Sequence, residues 1–101
     1  MTDPLQHEVF TAQLNTIFRF QLAPDKEIET ELVEVSDLKM YGAQQQFSVT
    51  FRGPNEVFLD QGMRHCTHDQ MGEFDLFLVP ISKDPQGFNY EAIFNRLPLQ
   101  D

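Results

Sequence analysis

The chain has 101 residues, which is enough for one domain with one hydrophobic core. Hydrophobic residues make up 41% of the chain and include ten phenylalanines, so a packed interior is attainable and we do not expect a disordered chain. Sixteen acidic against seven basic residues give a net charge of −9, which disfavours binding to nucleic acid or to anionic membranes because both are negatively charged.

We expect a single domain over residues 1–101, located in the cytoplasm. No apolar run approaches the roughly 20 residues that span a bilayer. The first residues, Met-Thr-Asp-Pro, lack the basic and apolar regions of a signal peptide. Cys66 is the only cysteine, which excludes an internal disulfide and fits a reducing compartment. The glycines lack phosphate-binding spacing, and we expect no cofactor.

A short helix is predicted over residues 4–12. Asp3 can cap this helix, Pro4 suits its first position, and Gln6 stands three residues after the cap. The helix should end before Asn15, a residue type that tolerates turn conformations. Because so short a helix is marginal alone, it must dock on the rest of the domain.

A half-buried strand is predicted over residues 16–22. Phe18, Phe20 and Leu22 alternate with the intervening positions, which is the period of two typical of a strand with one buried face. Residues 23–26 contain a proline and an aspartate suited to turn positions, so the chain should reverse there into a hairpin.

The returning strand, over residues 27–38, changes its apolar phase part-way along. Apolar residues occupy even positions up to Leu32 and odd positions from Val33. Since one residue of slip exchanges the two faces of a strand, either a β-bulge lies near Leu32 and Val33 or the second half of the strand is buried on both sides, and we expect the bulge. The strand also carries an acidic patch formed by Glu27, Glu29, Glu31 and Glu34, which is either a solvated outer face, the expected arrangement, or a recognition surface for a basic protein.

Two further strands follow a polar loop at residues 41–45. The first covers residues 46–52 and alternates cleanly, with Phe47, Val49 and Phe51 pointing inward. A connector at residues 56–60 should plug the edge of the core with its apolar residues. The second strand covers residues 63–69.

Residues 72–81 form the longest run in which both alternating faces are apolar, so they are predicted to be a central strand covered on both sides that ends at Pro80. One face carries Phe74, Leu76 and Leu78, and the other carries Phe77, Val79 and Ile81. A last strand over residues 90–94 places Tyr90, Ala92 and Phe94 on one face. The whole pattern predicts an all-β fold, a small antiparallel barrel or sandwich of about six strands with one short N-terminal helix.

Several stretches carry a resemblance to a known family. They are residues 10–18, Phe51-Arg-Gly-Pro54, Gln61-Gly62, His68-Asp69, residues 72–80 and residues 90–95. Over nearly its whole length the chain resembles an uncharacterised bacterial family of small stand-alone domains of unknown function. The resemblance implies an accessory role beside phage tail-collar or tail-fibre-like proteins, and it supplies no catalytic residue. The chain departs from the family pattern at Arg64 and Cys66, where larger apolar or aromatic residues are expected.

Residues 65–69 contain the only cluster of metal-ligand or catalytic residue types. On a strand, Cys66 and His68 share a face while His65 points away, so at most two of the three converge. A small metal protein or thiol enzyme centred on Cys66, His68 and Asp69 is one alternative. A zinc site would need more ligands, and the candidates for these are His7, Glu73 and Asp75. The other is a buried cysteine that packs as a small hydrophobe and a histidine that binds loop backbone groups.

The sequence therefore predicts a non-enzymatic protein-binding or assembly protein with no catalytic residue and no metal site. The expected partner is another protein, which the resemblance makes tail-fibre-like, and a homo-oligomer stays open. An inhibitor that mimics the charge of nucleic acid is a further alternative. The predicted binding residues are Glu27, Glu29, Glu31, Glu34, Asp75, Phe77, Val79 and Ile81. Phe77, Val79 and Ile81 belong to the binding surface only if the N-terminal helix leaves them uncovered, and we expect the helix to cover them.

Overall fold

The computed structural model describes residues 6–96, without the side chain of Arg96. The described range contains one helix and seven strands. They are α1 (His7–Ala12), β1 (Ile17–Ala23), β2 (Lys26–Val35), β3 (Lys39–Tyr41), β4 (Gln44–Gly53), β5 (Gly62–His68), β6 (Gly72–Asp84) and β7 (Gly87–Arg96). The predicted cap at Asp3 and Pro4 lies outside the described residues. The helix itself begins at His7, after an extended Gln6 whose side chain makes no capping hydrogen bond.

Six of the strands close into a barrel, in the order β1, β5, β6, β7, β4 and β2. All neighbours are antiparallel, and the pairing of β2 with β4 completes the circle. The predicted all-β antiparallel barrel with one short N-terminal helix is confirmed.

The seventh strand, β3, pairs with the start of β4. The polar loop predicted over residues 41–45 is wrong, because Tyr41 ends β3 and Gln44 begins β4. The chain reverses within two residues there because Gly42 has a positive φ of 61°, a conformation that suits glycine.

The interior is built by strand alternation. Phe47, Val49 and Phe51 are buried in β4, as predicted, and Tyr90, Ala92 and Phe94 are buried in β7. Other inward residues come from β1, β2, β5 and β6: Phe18, Phe20, Ile28, Leu32, Cys66, Leu76 and Leu78. Within the predicted plug, Leu59 is buried and its N–H donates a hydrogen bond to the Tyr90 hydroxyl, 2.9 Å away. Phe58 is instead 51% exposed.

The predicted bulge in the second strand is confirmed, since the register between β2 and β4 shifts between Leu32 and Glu34. Two details of the hairpin differ from the prediction. Strand β2 ends at Val35 rather than at residue 38, and Leu38 is exposed. A second bulge, between Gln21 and Ala23, interrupts the alternation of β1, so Leu22 is 37% exposed instead of sharing the buried face.

The central strand is longer than predicted and is covered on one face only. Leu76 and Leu78 are buried inside the barrel, but Phe77 is 48% and Ile81 is 49% exposed. A closed barrel has one interior, and the helix does not cover the outer face of β6. Pro80 does not end the strand: it pairs with Tyr90, and β6 continues to Asp84 past a register shift between Pro80 and Ser82.

Helix α1 contributes to the interior through Phe10, which is fully buried. The Phe10 ring lies against four other phenylalanine rings, with centroid distances between 5.3 and 6.3 Å: Phe18, Phe47, Phe74 and Phe94. The helix is followed by Asn15 at a φ of 70°, as its residue type predicts, and the Asn15 N–H donates to the Leu32 carbonyl at 2.7 Å. The helix is therefore held to the barrel by Phe10, by His7, whose Nε2 lies 2.8 Å from the Ser36 carbonyl oxygen, and by the backbone hydrogen bond from Asn15 to β2.

Candidate protein-binding surface

The predicted acidic residues lie on the outer face of β2. Glu29 forms an ion pair with Arg19 on β1 at 3.8 Å, and Glu31 forms one with Arg52 on β4 at 3.7 Å. Glu27 and Glu34 are exposed and have no ion pair within residues 6–96. Part of the negative charge on this strand is thus balanced by cross-strand partners.

The predicted apolar residues lie on the outer face of β6 and continue onto its neighbours. Phe77 stands directly across from Met63 of β5, which is 63% exposed. On the other side Val79 stands across from Glu91 of β7, and Ile93, which is 54% exposed, lies two residues further along the same face of β7. We call this surface the apolar belt, formed by Met63, Phe77, Val79, Ile81 and Ile93.

The barrel places these two surfaces on opposite walls. Strands β1 and β5 separate β2 from β6 in one direction, and β4 and β7 separate them in the other. The glutamates of β2 and the belt residues of β6 therefore do not form the one combined surface that the sequence predicted. They form two surfaces that face away from each other.

Acidic side chains border the apolar belt at two points. Glu91 of β7 faces outward beside Val79. Asp75 lies two residues before Phe77 on the same face of β6. It contacts His65 of β5, whose Nδ1 lies 2.9 Å from Asp75 Oδ1. The other ring nitrogen of His65, Nε2, lies 2.9 Å from Glu73 Oε1. The hydrogen bonds to Asp75 and then to Glu73 raise the pKa of the His65 imidazole above its usual value.

The Cys66–His68 pair shares the inner face of β5, as predicted, but its chemistry is that of a packed core. Burial raises the pKa of the Cys66 thiol to about 12, so the thiolate that a nucleophile or a metal ligand needs is strongly disfavoured. The Sγ atom lies 3.9 Å from the Thr67 carbonyl oxygen. Cys66 therefore behaves as the small hydrophobe that one of the two sequence interpretations described.

Both ring nitrogens of His68 are occupied by structural hydrogen bonds. Its Nδ1 accepts from the N–H groups of Gln70 (3.0 Å) and Met71 (3.1 Å), which confirms the interpretation that it satisfies loop backbone groups. Its Nε2 then carries the proton and donates to Thr16 Oγ1 at 2.9 Å, and Thr16 in turn donates to the Gln13 carbonyl at the end of α1. Asp69 points elsewhere and pairs with Arg19.

Residues 6–96 hold no group of three or more His, Cys, Asp or Glu side chains placed to bind one metal ion. His7, one of the predicted additional ligands, is bound to the Ser36 carbonyl at 2.8 Å. The other two, Glu73 and Asp75, are bound to His65 on the outer face of the barrel.

A family model described as "Domain of unknown function (DUF6916)" matches residues 5–94. The chain belongs to this family. No curated protein and no solved structure matches the chain. Within the part of this DUF6916 chain that the structure describes, no helix is both long enough and apolar enough to cross a membrane.

Sequence reasoning missed two members of the belt, Met63 and Ile93. Ile93 is an apolar residue in the outward phase of a strand whose inward phase is also apolar, and that is the signal that could have singled it out. Met63 has no such signal, because the inward phase of its strand carries Arg64 and His68. The neighbours of Met63 and Ile93 across the barrel wall depend on which strands pair, and the pairing of β6 with both β5 and β7 is not written in local periodicity.

Proposed function

We propose that the protein is a non-enzymatic binding or assembly protein that holds another protein on its apolar belt. The observation that carries this proposal is the run of three exposed apolar side chains across three adjacent strands: Met63 on β5, Phe77 on β6 and Ile93 on β7. Single exposed apolar residues are ordinary, but contiguous outward apolar surface on a small domain is typical of an interaction site.

The charge around the belt defines the chemistry of the partner. The protein carries a net charge of −9, and Asp75, Glu73 and Glu91 border the belt. A second copy of the chain would bring the same negative charge to the interface. A protein that presents apolar side chains bordered by Lys or Arg matches the surface in both respects. The sequence resemblance adds tail-fibre-like proteins as the partner class, and the cytoplasm is the proposed place of action.

The belt is tested by affinity capture with matched variants. The wild type, a Phe77→Ser/Ile93→Ser variant and a Leu14→Ser/Met40→Ser variant are used to capture proteins from the organism that encodes the chain. The control removes two apolar side chains that are also exposed but lie elsewhere, Leu14 in the turn after α1 and Met40 on β3. We expect one basic partner that the wild type and the control retain and the belt variant loses by at least about ten-fold. Equal recovery of that partner by all three proteins contradicts the proposal.

The glutamates of β2 are a separate proposed contact and have their own test. A Glu29→Lys/Glu31→Lys variant should weaken a partner that the charge of this wall attracts, even though both glutamates also pair with arginines. Unchanged capture by this variant removes the β2 wall from the binding surface and leaves the belt unaffected, because the two walls are opposite.

A further inference from the structure

A cleft opens in the barrel wall where β1 and β5 part. The register between these two strands pairs only Arg19 with Thr67 and Phe20 with Cys66. Beyond Phe20 the strands separate, and a cleft of about 300 Å³ is lined by residues 21–24 on one side and residues 63–65 on the other. The strand edges that face this cleft are not paired with each other, so they present backbone groups to an incoming chain.

Arg64 lies in this cleft and is directed inward. On β5 it pairs with the buried Leu76 of β6, and it points to the same side of β5 as the buried Cys66. Its Nη2 donates to the Asp60 carbonyl at 2.9 Å, but its Nε is buried and has no hydrogen-bond partner among the described residues. The positive charge of Arg64 also affects Tyr90 in the interior. Burial raises the pKa of the Tyr90 hydroxyl, and the hydrogen bond from the Leu59 N–H and the charge of Arg64 both oppose that rise.

The charge of Arg64 is not balanced by a carboxylate within residues 6–96. Arg19 and Arg52 each have an acidic partner, whereas Arg64 has none in a chain with sixteen acidic residues. The residues that line the cleft include Arg64 and His65 but no aspartate or glutamate. A partly buried guanidinium with an unsatisfied N–H is costly, and a carboxylate is the group that compensates it best because it accepts charge-assisted hydrogen bonds.

We propose that this cleft binds an extended peptide segment of a partner protein that ends in a free carboxylate, with the carboxylate on Arg64. The unpaired edges of β1 and β5 would hold the peptide backbone by strand addition. Leu22 and Met63, which are 37% and 63% exposed, line the cleft and would contact an apolar side chain of the segment. The proposal goes beyond the function assigned to the belt and does not depend on it, although Met63 lies at the boundary of both surfaces.

The test compares a free carboxylate with its amide. An acetylated pentapeptide of alternating Thr and Val that ends in Leu is added, as the free acid and as the C-terminal amide, to ¹⁵N-labelled protein and followed by NMR. At about 1 mM peptide we expect the acid to shift the Arg64 Nε–H signal and the backbone amides of residues 21–23 and 63–65, with the amide about ten-fold weaker. An Arg64→Gln variant should bind acid and amide alike. An Arg52→Gln variant, changed at an outward arginine, should behave as the wild type.

Two results would overturn the proposal. One is equal binding of acid and amide to the wild type, and the other is the absence of any shift at Arg64 Nε–H and the cleft amides. The Arg64 signal is read in the wild type, so the test holds even where Arg64→Gln folds poorly. A Phe77→Ser/Ile93→Ser variant should bind the acid as the wild type does. Failure of the cleft is therefore distinguishable from failure of the belt.

Discussion

Two histidines on one strand have opposite environments, which shows how position alone sets the chemistry of a side chain. His65 faces outward between two carboxylates, and His68 faces inward with both ring nitrogens bound. The sequence predicted that the two rings point to opposite sides of the strand, because strand alternation is a local property. It did not predict the partners of either ring, because Glu73, Asp75 and Thr16 belong to other elements of the fold.

The pKa values of the two imidazole rings should lie on opposite sides of 6.5, the pKa of an unperturbed histidine. Hydrogen bonds to Asp75 and Glu73 raise the pKa of His65, whereas burial lowers that of His68. NMR titration of the ring protons measures both values. An Asp75→Asn variant should move the pKa of His65 back toward 6.5 and leave that of His68 unchanged. A wild-type His65 that titrates below His68 contradicts these environments.

These shifts predict opposite effects of pH on stability. The stabilisation from His65 is complete below pH 6.5 and is lost as the pH rises through its raised pKa. The neutral His68 stabilises the fold fully above pH 6.5, and this contribution is lost as the pH falls through its lowered pKa. Urea unfolding of a His65→Gln variant should show a loss of stability relative to the wild type that is larger at pH 5.5 than at pH 8. A loss that is equal at both pH values contradicts the raised pKa.

At the scale of single elements, local patterns were most informative where one face of a strand is buried. The alternation of Phe47, Val49 and Phe51 and the phase change at Leu32 were both found as predicted. The exposure of Leu22 was not, because a bulge in β1 shifts its phase without any mark in the apolar pattern. Strand β3 was also missed, because its three residues are all exposed and carry no alternation of buried positions.

Helix α1 should depend on Phe10 for its docking. A Phe10→Ala substitution removes the ring that fills the space among four other phenylalanines, and we expect it to lower the free energy of unfolding by about 3–5 kcal/mol. Leu14→Ala, at a residue that is 40% exposed, should cost less than about 1 kcal/mol. Chemical unfolding followed by circular dichroism measures both, and similar costs for the two variants would mean that α1 is not anchored through Phe10.

Because β4 and β7 approach each other closely at Gly87, any side chain introduced at this position should destabilise the fold. A Cβ atom at Gly87 would collide with the Gly53 carbonyl oxygen, whereas a Cβ atom at Gly42 meets no atom within 4 Å. Both glycines have positive φ angles, 155° at Gly87 and 61° at Gly42, so an alanine also meets backbone strain at each position. Gly87→Ala should cost about 3 kcal/mol or more and Gly42→Ala about 1 kcal/mol in urea unfolding. A tolerated Gly87→Ala would show that the two strands are further apart.

At the scale of the whole molecule, closure of the barrel decides what the outer surface offers. Closure places the β2 glutamates and the β6 apolar residues on opposite walls, although the sequence predicted them together. It also leaves Phe77 outside, although the two apolar faces of residues 72–81 predicted burial on both sides. Neither result is contained in a local pattern, because both depend on which strands meet across the barrel.

The charge of the molecule predicts that the belt does not join two copies of the chain. With a net charge of −9 and acidic residues beside the belt, self-association is opposed by repulsion. Sedimentation in buffer of low ionic strength should give a monomer of 11.8 kDa. A dimer that Phe77→Ser dissociates would instead make a second copy the occupant of the belt and contradict the proposed basic partner.

The most direct measurement of the central claim is site-specific photo-crosslinking from the belt in the organism that encodes the protein. Phe77 is replaced by photoreactive benzoylphenylalanine in one variant, and Leu14 is replaced by it in a control. The account predicts that the variant at position 77 crosslinks to one partner chain and that the control does not. Crosslinking of the same partner from both positions, or from neither, would contradict the claim that the outer face of β5, β6 and β7 is where this protein meets its partner.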